Sequence, residues 1–165
     1  MKPTFTTLLA LCFCLAGCGE KSEPKFELTK AQSTPAMTAA KKAYGEGRYA
    51  EAIRLYTTEL TAEEAKPEPS WVQLSHLNNQ LGSALDSAGQ YDQALKFYEK
   101  SLAIKLKQLD ANHPDVATSY NNIGLVHDNK GEYDKALEHY QKSLAIRLKQ
   151  LGPEHPSVAT SYNNI

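Results

Sequence analysis

An eleven-residue segment occurs twice in this chain with a single difference. HPDVATSYNNI begins at His113, and HPSVATSYNNI begins at His155, forty-two residues later. The same period extends backward, because residues 91–109 and 133–151 are identical at fourteen of nineteen positions. A fixed period of this length indicates stacked supersecondary units, each of which buries its apolar face only against its neighbours.

Each unit has the pattern of two helices joined by a turn. In the third unit, the positions i, i+3, i+4 and i+7 from residue 120 form one stripe of a helix, made of Tyr120, Ile123, Gly124 and His127. Gly131 is placed to end this helix with a positive φ. The second helix is predicted from about Asp134 to Leu151, and its buried side is predicted to carry Ala136, Leu137, Tyr140, Leu144, Leu148 and Leu151. Small residues at 124 and 136 indicate that the two helices approach closely there.

The junctions between units predict the boundaries of an array over residues 33–165. Pro114 and Pro156 suit the first helical position, where a missing N–H costs nothing, and Ser70 to Gln73 resembles a capping box. The predicted units are an atypical first repeat (33–68), a second (70–111), a third (112–153) and an incomplete fourth (154–165). Ile165 corresponds to Ile123, and Gly124 and the later residues of the third repeat have no counterpart, so we expect a fragment or a truncated array. Self-association through this open end is a further expectation.

These residues carry a family resemblance. Glycine, alanine and an aromatic residue at the positions of Gly124, Ala136 and Tyr140 resemble the tetratricopeptide repeat. The spacing of forty-two residues and the segments HPDVATSYNNIG and ALEHYQKSLAIRLKQLGPEHP are similar to the kinesin-light-chain type of that repeat. The resemblance implies an all-α, right-handed solenoid of stacked helix-turn-helix units. The first repeat departs from the pattern, because Ala40 stands where glycine is expected.

By the same resemblance, the first helices of successive repeats line a concave groove that binds a peptide or protein partner. An asparagine is useful there, because its amide offers both donors and an acceptor to an extended peptide. Asn122 and Asn164, with Gln80 in the second repeat, occupy the position that binds peptide backbone in related domains. The alternative is that these residues are solvated polar side chains on exposed helix faces. The predicted groove residues are Lys41, His76, Asn79, Gln80, Ser83, Asp86, Thr118, Asn121, Asn122, Leu125, Asp128, Asn129, Asn163 and Asn164.

The charge of the predicted groove argues against a lysine-rich and arginine-rich carboxylate clamp. Lys41 is the only basic side chain expected to project inward, while Asp86 and Asp128 make the groove mildly acidic. A basic or neutral ligand segment is therefore expected. The formal net charge of the chain is −1, which gives no basic field for nucleic acid.

The N-terminus has the pattern of a bacterial lipoprotein signal peptide over residues 1–17. An apolar run of about twelve residues is too short to span a bilayer and ends in Leu15-Ala16-Gly17-Cys18, which resembles a lipobox. Cys18 is then the lipidated first residue of the mature protein, residues 18–32 are a polar tether, and no cysteine is left for a disulfide. The alternative is a plain secretory leader cut after Gly17 or Gly19. Membrane attachment is expected through this lipid only, at the cell envelope, with the outer membrane favoured where two membranes exist.

The sequence contains no recognisable catalytic, metal or cofactor motif. His113 and His155 recur because the junction recurs, and each is interpreted as part of a helix start. The predicted function is a lipid-anchored scaffold for protein–protein interaction. The alternative is a recognition arm of a larger protein whose effector domain, such as a peptidase or kinase, lies beyond residue 165.

Overall fold

A computed structural model describes residues 31 and 33–165 of the protein, and this part contains seven helices and no strand. The helices are α1 (Pro35–Gly45), α2 (Tyr49–Glu64), α3 (Trp71–Ser87), α4 (Tyr91–Gln108), α5 (Pro114–Asn129), α6 (Tyr133–Leu151) and α7 (Pro156–Asn163). The predicted signal peptide, Cys18 as the predicted site of lipidation and nearly all of the predicted tether lie outside the described residues. Within the described part, no helix combines the length and the apolar character that crossing a bilayer requires.

Each helix packs against the next one along the chain, from α1 on α2 to α6 on α7. The most extensive helix–helix contacts are between α3 and α4 and between α5 and α6. Each of these pairs consists of the two helices of one repeat. A continuous core of buried side chains runs from α1 to α5 and includes Met37, Tyr56, Leu81 and Ile123. The predicted all-α solenoid is therefore confirmed.

The helix starts follow from the junction residues. Pro114 and Pro156 open α5 and α7. The imidazole Nδ1 of the preceding His113 accepts the Asp115 N–H at 3.1 Å, and His155 accepts the Ser157 N–H at 3.1 Å. These bonds satisfy helix N–H groups that have no partner inside the helix, which confirms the interpretation of both histidines as parts of helix starts.

The start of α3 is built differently from the prediction. Ser70 Oγ accepts the Gln73 N–H at 3.4 Å, which is one half of the expected capping box. The Ser70 N–H itself donates to Glu63 Oε1 at 2.8 Å. Glu63, a buried residue at the end of α2, thus accepts the Ser70 N–H. In a reciprocal capping box this N–H would donate to the side chain of residue 73.

The two helices of the third repeat approach closely at Gly124, as predicted. A Cβ at this position would lie 2.7 Å from the ring atoms Cδ1 and Cε1 of Tyr140 and 3.3 Å from the carbonyl oxygen of Ala136. Gly131 ends the connection with φ of 75°, which also confirms the prediction for the turn.

The predicted buried stripe of α6 is wrong in part. Leu137 and Leu151 are 37% and 38% exposed, whereas the buried residues of α6 are Ala136, Tyr140, Ser143 and Ile146. The close contact at Gly124 brings the small-residue face of α6 against α5. The leucines are therefore rotated toward the edge of the pair, where only part of each side chain is covered.

Candidate functional site

The helices α3, α5 and α7 are joined in succession by hydrogen bonds between asparagine side chains. Asn122 Nδ2 of α5 donates to Asn79 Oδ1 of α3 at 3.0 Å. Asn164 is the residue at the C-cap position of α7, and its Nδ2 donates to Asn121 Oδ1 of α5 at 3.0 Å. We call the surface formed by α1, α3, α5 and α7 the A-helix surface. It brings together the predicted groove residues of the first helices of all four units.

Both asparagine pairs join residues forty-three positions apart, one more than the repeat period. The second, third and fourth repeats each carry two consecutive polar residues at this point of their first helix. The second residue of one repeat bonds to the first residue of the repeat before it. Each pair uses one amide N–H and one amide oxygen. Asn79 Nδ2 and Asn122 Oδ1 make no hydrogen bond to other described residues, and both side chains are half-buried. The pair therefore keeps one donor and one acceptor for a further partner.

A second row of hydrogen bonds runs across the other ends of these helices. Asn129 Nδ2 donates to Asp86 Oδ1 at 3.0 Å, and the Tyr44 hydroxyl lies 3.0 Å from Ser87 Oγ and accepts from Ser83 Oγ at 3.1 Å. Burial raises the pKa of Asp86, and the hydrogen bond from Asn129 opposes this effect only in part. The predicted groove residues Ser83, Asp86 and Asn129 thus also hold neighbouring repeats together.

A cleft of about 420 Å³ opens between α1, α3 and the first turn of α5. Its apolar wall includes Met37 and Trp71, and its polar groups include Lys41, His76 and Lys105. Burial, and then the charges of Lys41 and Lys105, lower the pKa of His76. Burial, together with these two cations, therefore favours the neutral form of the His76 imidazole.

Lys105 contradicts the prediction that Lys41 is the only basic side chain to project inward. It belongs to α4, yet its Nζ donates to Ser119 Oγ of α5 at 2.9 Å and lines the cleft. Arg147 of α6 repeats this contact with Ser161 of α7 at 2.7 Å. The prediction failed because it assigned the groove to first helices alone. The sequence signal was a basic residue followed fourteen positions later by serine in both copies.

The other predicted residues divide into bonded and open side chains. Thr118 Oγ1 donates to the Pro114 carbonyl of its own helix at 3.1 Å, and Gln80 Nε2 lies 3.4 Å from His76 Nε2. Leu125 is 42% exposed and gives the surface a central apolar group. Asp128 lines a shallow depression at the far end, together with Tyr140, Asn164 and Ile165, and Asn163 is exposed. In residues 31 and 33–165, no three His, Cys, Asp or Glu side chains are grouped to hold a metal ion.

Solved structures with a similar fold include two that are 25% identical to this chain. BtubC (BKLC) from P. vanneervenii is 25% identical over 78% of this chain and 51% of its own, with a TM-score of 0.68. A putative kinesin light chain of Podosopora anserina with nearly identical TPR-like repeats is 25% identical over 79% of this chain and 64% of its own, with a TM-score of 0.67. The chain thus spans between half and two thirds of these proteins.

A further similar structure is that of PcrH in complex with the chaperone binding region of PopB. It is 18% identical over 83% of this chain and 100% of its own, with a TM-score of 0.58, and so shares the fold. Comparison with curated protein sequences gave no significant match.

The family model described as tetratricopeptide repeat matches three overlapping ranges, residues 40–107, 73–149 and 115–165. Together these ranges contain all of α2 to α7. Proteins of such repeats are generally non-catalytic, and the fold suggests a scaffold for protein–protein interaction. The chain belongs to the tetratricopeptide repeat family.

Proposed function

We propose that the A-helix surface binds an extended segment of a protein partner. The observation that carries this proposal is the pairing of Asn122 with Asn79, which leaves one amide donor and one amide acceptor on the surface. A peptide backbone offers the complementary acceptor and donor at regular spacing. The half-buried position of both side chains limits their rotation, so less conformational entropy is lost when a ligand binds.

The charges along the surface give the bound segment a direction. Lys41, His76 and Lys105 surround the cleft at the α1–α3 end, where Asp115 is the one carboxylate of the lining residues. Asp86 and Asp128 lie further along the surface toward the ends of α3 and α5. A segment with an acidic group in the cleft and a basic or neutral group beyond it fits this distribution, in place of the uniformly basic or neutral segment expected from sequence.

The experiment compares partner recovery by the immobilised wild-type chain and by an Asn79→Ala/Asn122→Ala variant from extracts of the source cells. The expected result is a partner retained by wild type and lost by the double variant. Thr57→Ala on α2 is the matched control, because Thr57 lies outside the predicted groove and its hydroxyl donates to the Ile53 carbonyl of its own helix at 2.8 Å. Equal recovery by wild type and the double variant would contradict a role for this pair in binding. Circular dichroism of all three proteins establishes that the fold is retained.

We further propose that the scaffold is anchored at the cell envelope through a lipid on Cys18 and faces the periplasm from the outer membrane where two membranes exist. The support is the Leu15-Ala16-Gly17-Cys18 motif at the end of an apolar N-terminal run. Metabolic labelling with a palmitate analogue is expected to mark the wild type and not Cys18→Ser. Unlabelled wild-type protein, or label that persists in Cys18→Ser, would contradict the anchor without affecting the groove proposal.

A further inference from the structure

Two histidines stack against each other between α5 and α6. The ring centroids of His127 and His139 are 5.4 Å apart, and the ring planes are inclined by 13°. His127 is 8% exposed. His139 is half-buried, and its Nδ1 is enclosed without a hydrogen-bond partner in the described part of the chain.

The second repeat fills the same two positions with apolar side chains. Forty-two residues before His127 and His139 stand Leu85, which is 2% exposed, and Phe97, which packs against the core. The scaffold therefore does not require histidine here. In the third repeat, the same two positions carry titratable imidazole rings in place of apolar side chains.

Among the described residues, His127 has a carboxylate partner and His139 has none. His127 Nδ1 lies 2.8 Å from Glu132 Oε2. Lys135, Lys130 and His127 itself lower the pKa of Glu132 to about 2, so this carboxylate stays ionised throughout the mildly acidic range. Glu132 therefore keeps its negative charge beside His127 as the pH falls.

The surroundings of His139 oppose a proton. Burial, the ammonium of Lys142 and the ring of His127 lower the pKa of His139, and Glu138 opposes these effects only in part. Tyr120 of α5 presents a ring at 6.0 Å. Neighbouring elements add little counter-charge, because Asp92 of α4 is paired with Lys130 at 2.7 Å and α7 has no charged side chain between Pro156 and Asn163.

We propose that the His127–His139 stack is an acid-sensitive switch that loosens the α5–α6 pair as the pH falls through the mildly acidic range. Protonation of both rings places two cations in contact, and only one of them has a carboxylate partner. The opened pair takes up the second proton in water, where histidine titrates near its ordinary value of about 6.5. Acid therefore favours the opened state.

The loosening acts on the part of the A-helix surface that α5 contributes. Asn122 and Asn121 lie on this helix and bond to α3 and α7. A ligand held by the Asn79–Asn122 pair would be released at low pH, and this consequence rests on the proposed function. The opening of the helix pair does not rest on it, and so it is tested on the ligand-free protein.

The experiment measures amide hydrogen exchange of the full chain between pH 7.5 and 5.5, corrected for the intrinsic pH dependence of exchange. In wild type, protection of α5 and α6 is expected to fall below pH 6.5, approaching about tenfold per pH unit because one additional proton is bound on opening. The variant His127→Leu/His139→Phe carries the residues of the second repeat and is expected to lose this dependence. Protection of α1 and α2 serves as the internal control.

Equal pH dependence of α5 and α6 in wild type and in the double variant would overturn the switch. So would wild-type protection that does not change between pH 7.5 and 5.5. If the double variant is unprotected in α5 and α6 already at pH 7.5, His139→Phe replaces it, because this variant keeps the His127–Glu132 contact. Equal pH dependence of α5 and α6 in wild type and His139→Phe, or wild-type protection that does not change with pH, would then overturn the switch.

Discussion

The side-chain amide of Asn122 donates a 3.0 Å hydrogen bond to that of Asn79, although the two residues are forty-three positions apart in a chain that repeats every forty-two. The surface predicted to bind a ligand is therefore also the surface that joins one repeat to the next. Substitutions on it are expected to change both the stability of the array and its binding.

Removal of the amide pair is expected to destabilise the array modestly. Asn122→Ala deletes the donor to Asn79 and is expected to lower the free energy of unfolding by about 0.5–1.5 kcal/mol, the usual net value of one intramolecular hydrogen bond. Urea denaturation followed by circular dichroism measures the change. Thr118→Ala on the same helix is expected to change it by less than about 0.5 kcal/mol, as for most surface substitutions. A larger loss in Thr118→Ala than in Asn122→Ala would contradict the assignment.

Added side chains at three glycines are expected to have graded effects. Gly124→Ala places Cβ 2.7 Å from the Tyr140 ring, while Gly82→Ala meets the Tyr98 ring at 3.0–3.1 Å. Overpacking of this kind costs about 1–3 kcal/mol, so Gly124→Ala is expected to destabilise more than Gly82→Ala. Gly45→Ala meets nothing within 4 Å and is the control. It is expected to stabilise by about 0.5–1 kcal/mol, because alanine loses less backbone entropy in a helix.

Thermal unfolding of the wild type and the three variants gives the order of their stabilities directly. The expected order of midpoints is Gly45→Ala above wild type, then Gly82→Ala, then Gly124→Ala. A Gly124→Ala variant as stable as Gly45→Ala would show that α5 and α6 are not in close contact at this point.

The buried carboxylate of Glu63 is expected to make folding sensitive to acid. Its oxygens accept from the Ser70 N–H at 2.8 Å and from Lys66 Nζ at 2.6 Å. Burial alone would raise the pKa of Glu63, but these hydrogen bonds and the charge of Lys66 outweigh it and hold the pKa below its ordinary value of 4.5. A lowered pKa stabilises the folded state above that value, and the stabilisation is lost as the pH falls through the folded pKa.

Glu63→Gln tests this linkage. It is expected to lower the stability at pH 7 by about 1–3 kcal/mol, the range for a hydrogen bond to a charged group or for a buried group left unpaired. It is also expected to flatten the fall in stability below pH 4.5. Glu64→Gln, at the exposed neighbouring position, is the matched control. An unchanged acid profile in Glu63→Gln would contradict the role of this carboxylate at the start of α3.

Lys41, one of the two cations that line the cleft, is expected to lower the pKa of His76. Burial lowers the pKa of this imidazole first, and the charges of Lys41 and Lys105 lower it further. Lys41→Met removes one cation and is expected to raise the pKa of His76 toward its ordinary value of 6.5. Titration of the His76 ring protons by NMR measures the shift. Lys42→Met is the control, because Lys42 does not contribute to the shift of His76, and an equal effect of both substitutions would contradict the geometry of the cleft.

The local structure of each repeat could be predicted from the sequence because its causes are local. Pro114 can open a helix because it needs no N–H there, and Gly131 can take the positive φ of the turn without steric cost. The close approach of α5 and α6 at Gly124 was predictable from residue size alone, whereas the contact of Gly124 with the Tyr140 ring was seen only in the structure. The full set of buried residues of α6 could not be predicted. Ala136 is buried and Leu137 is exposed because of the rotation of the helix about its axis, which the hydrophobic pattern does not specify.

The sequence by itself determined the period, the helix pairs, the starts of α5 and α7 and the family. The tertiary structure decided which side chains of different repeats meet. Lys105 reaches the surface from α4, and Asn122 pairs with Asn79 in place of its own counterpart, Gln80. The physical reason is that the period fixes what each repeat contains, whereas the rotation and offset between stacked repeats fix the contacts, and these depend on how all the side chains at the interface pack together.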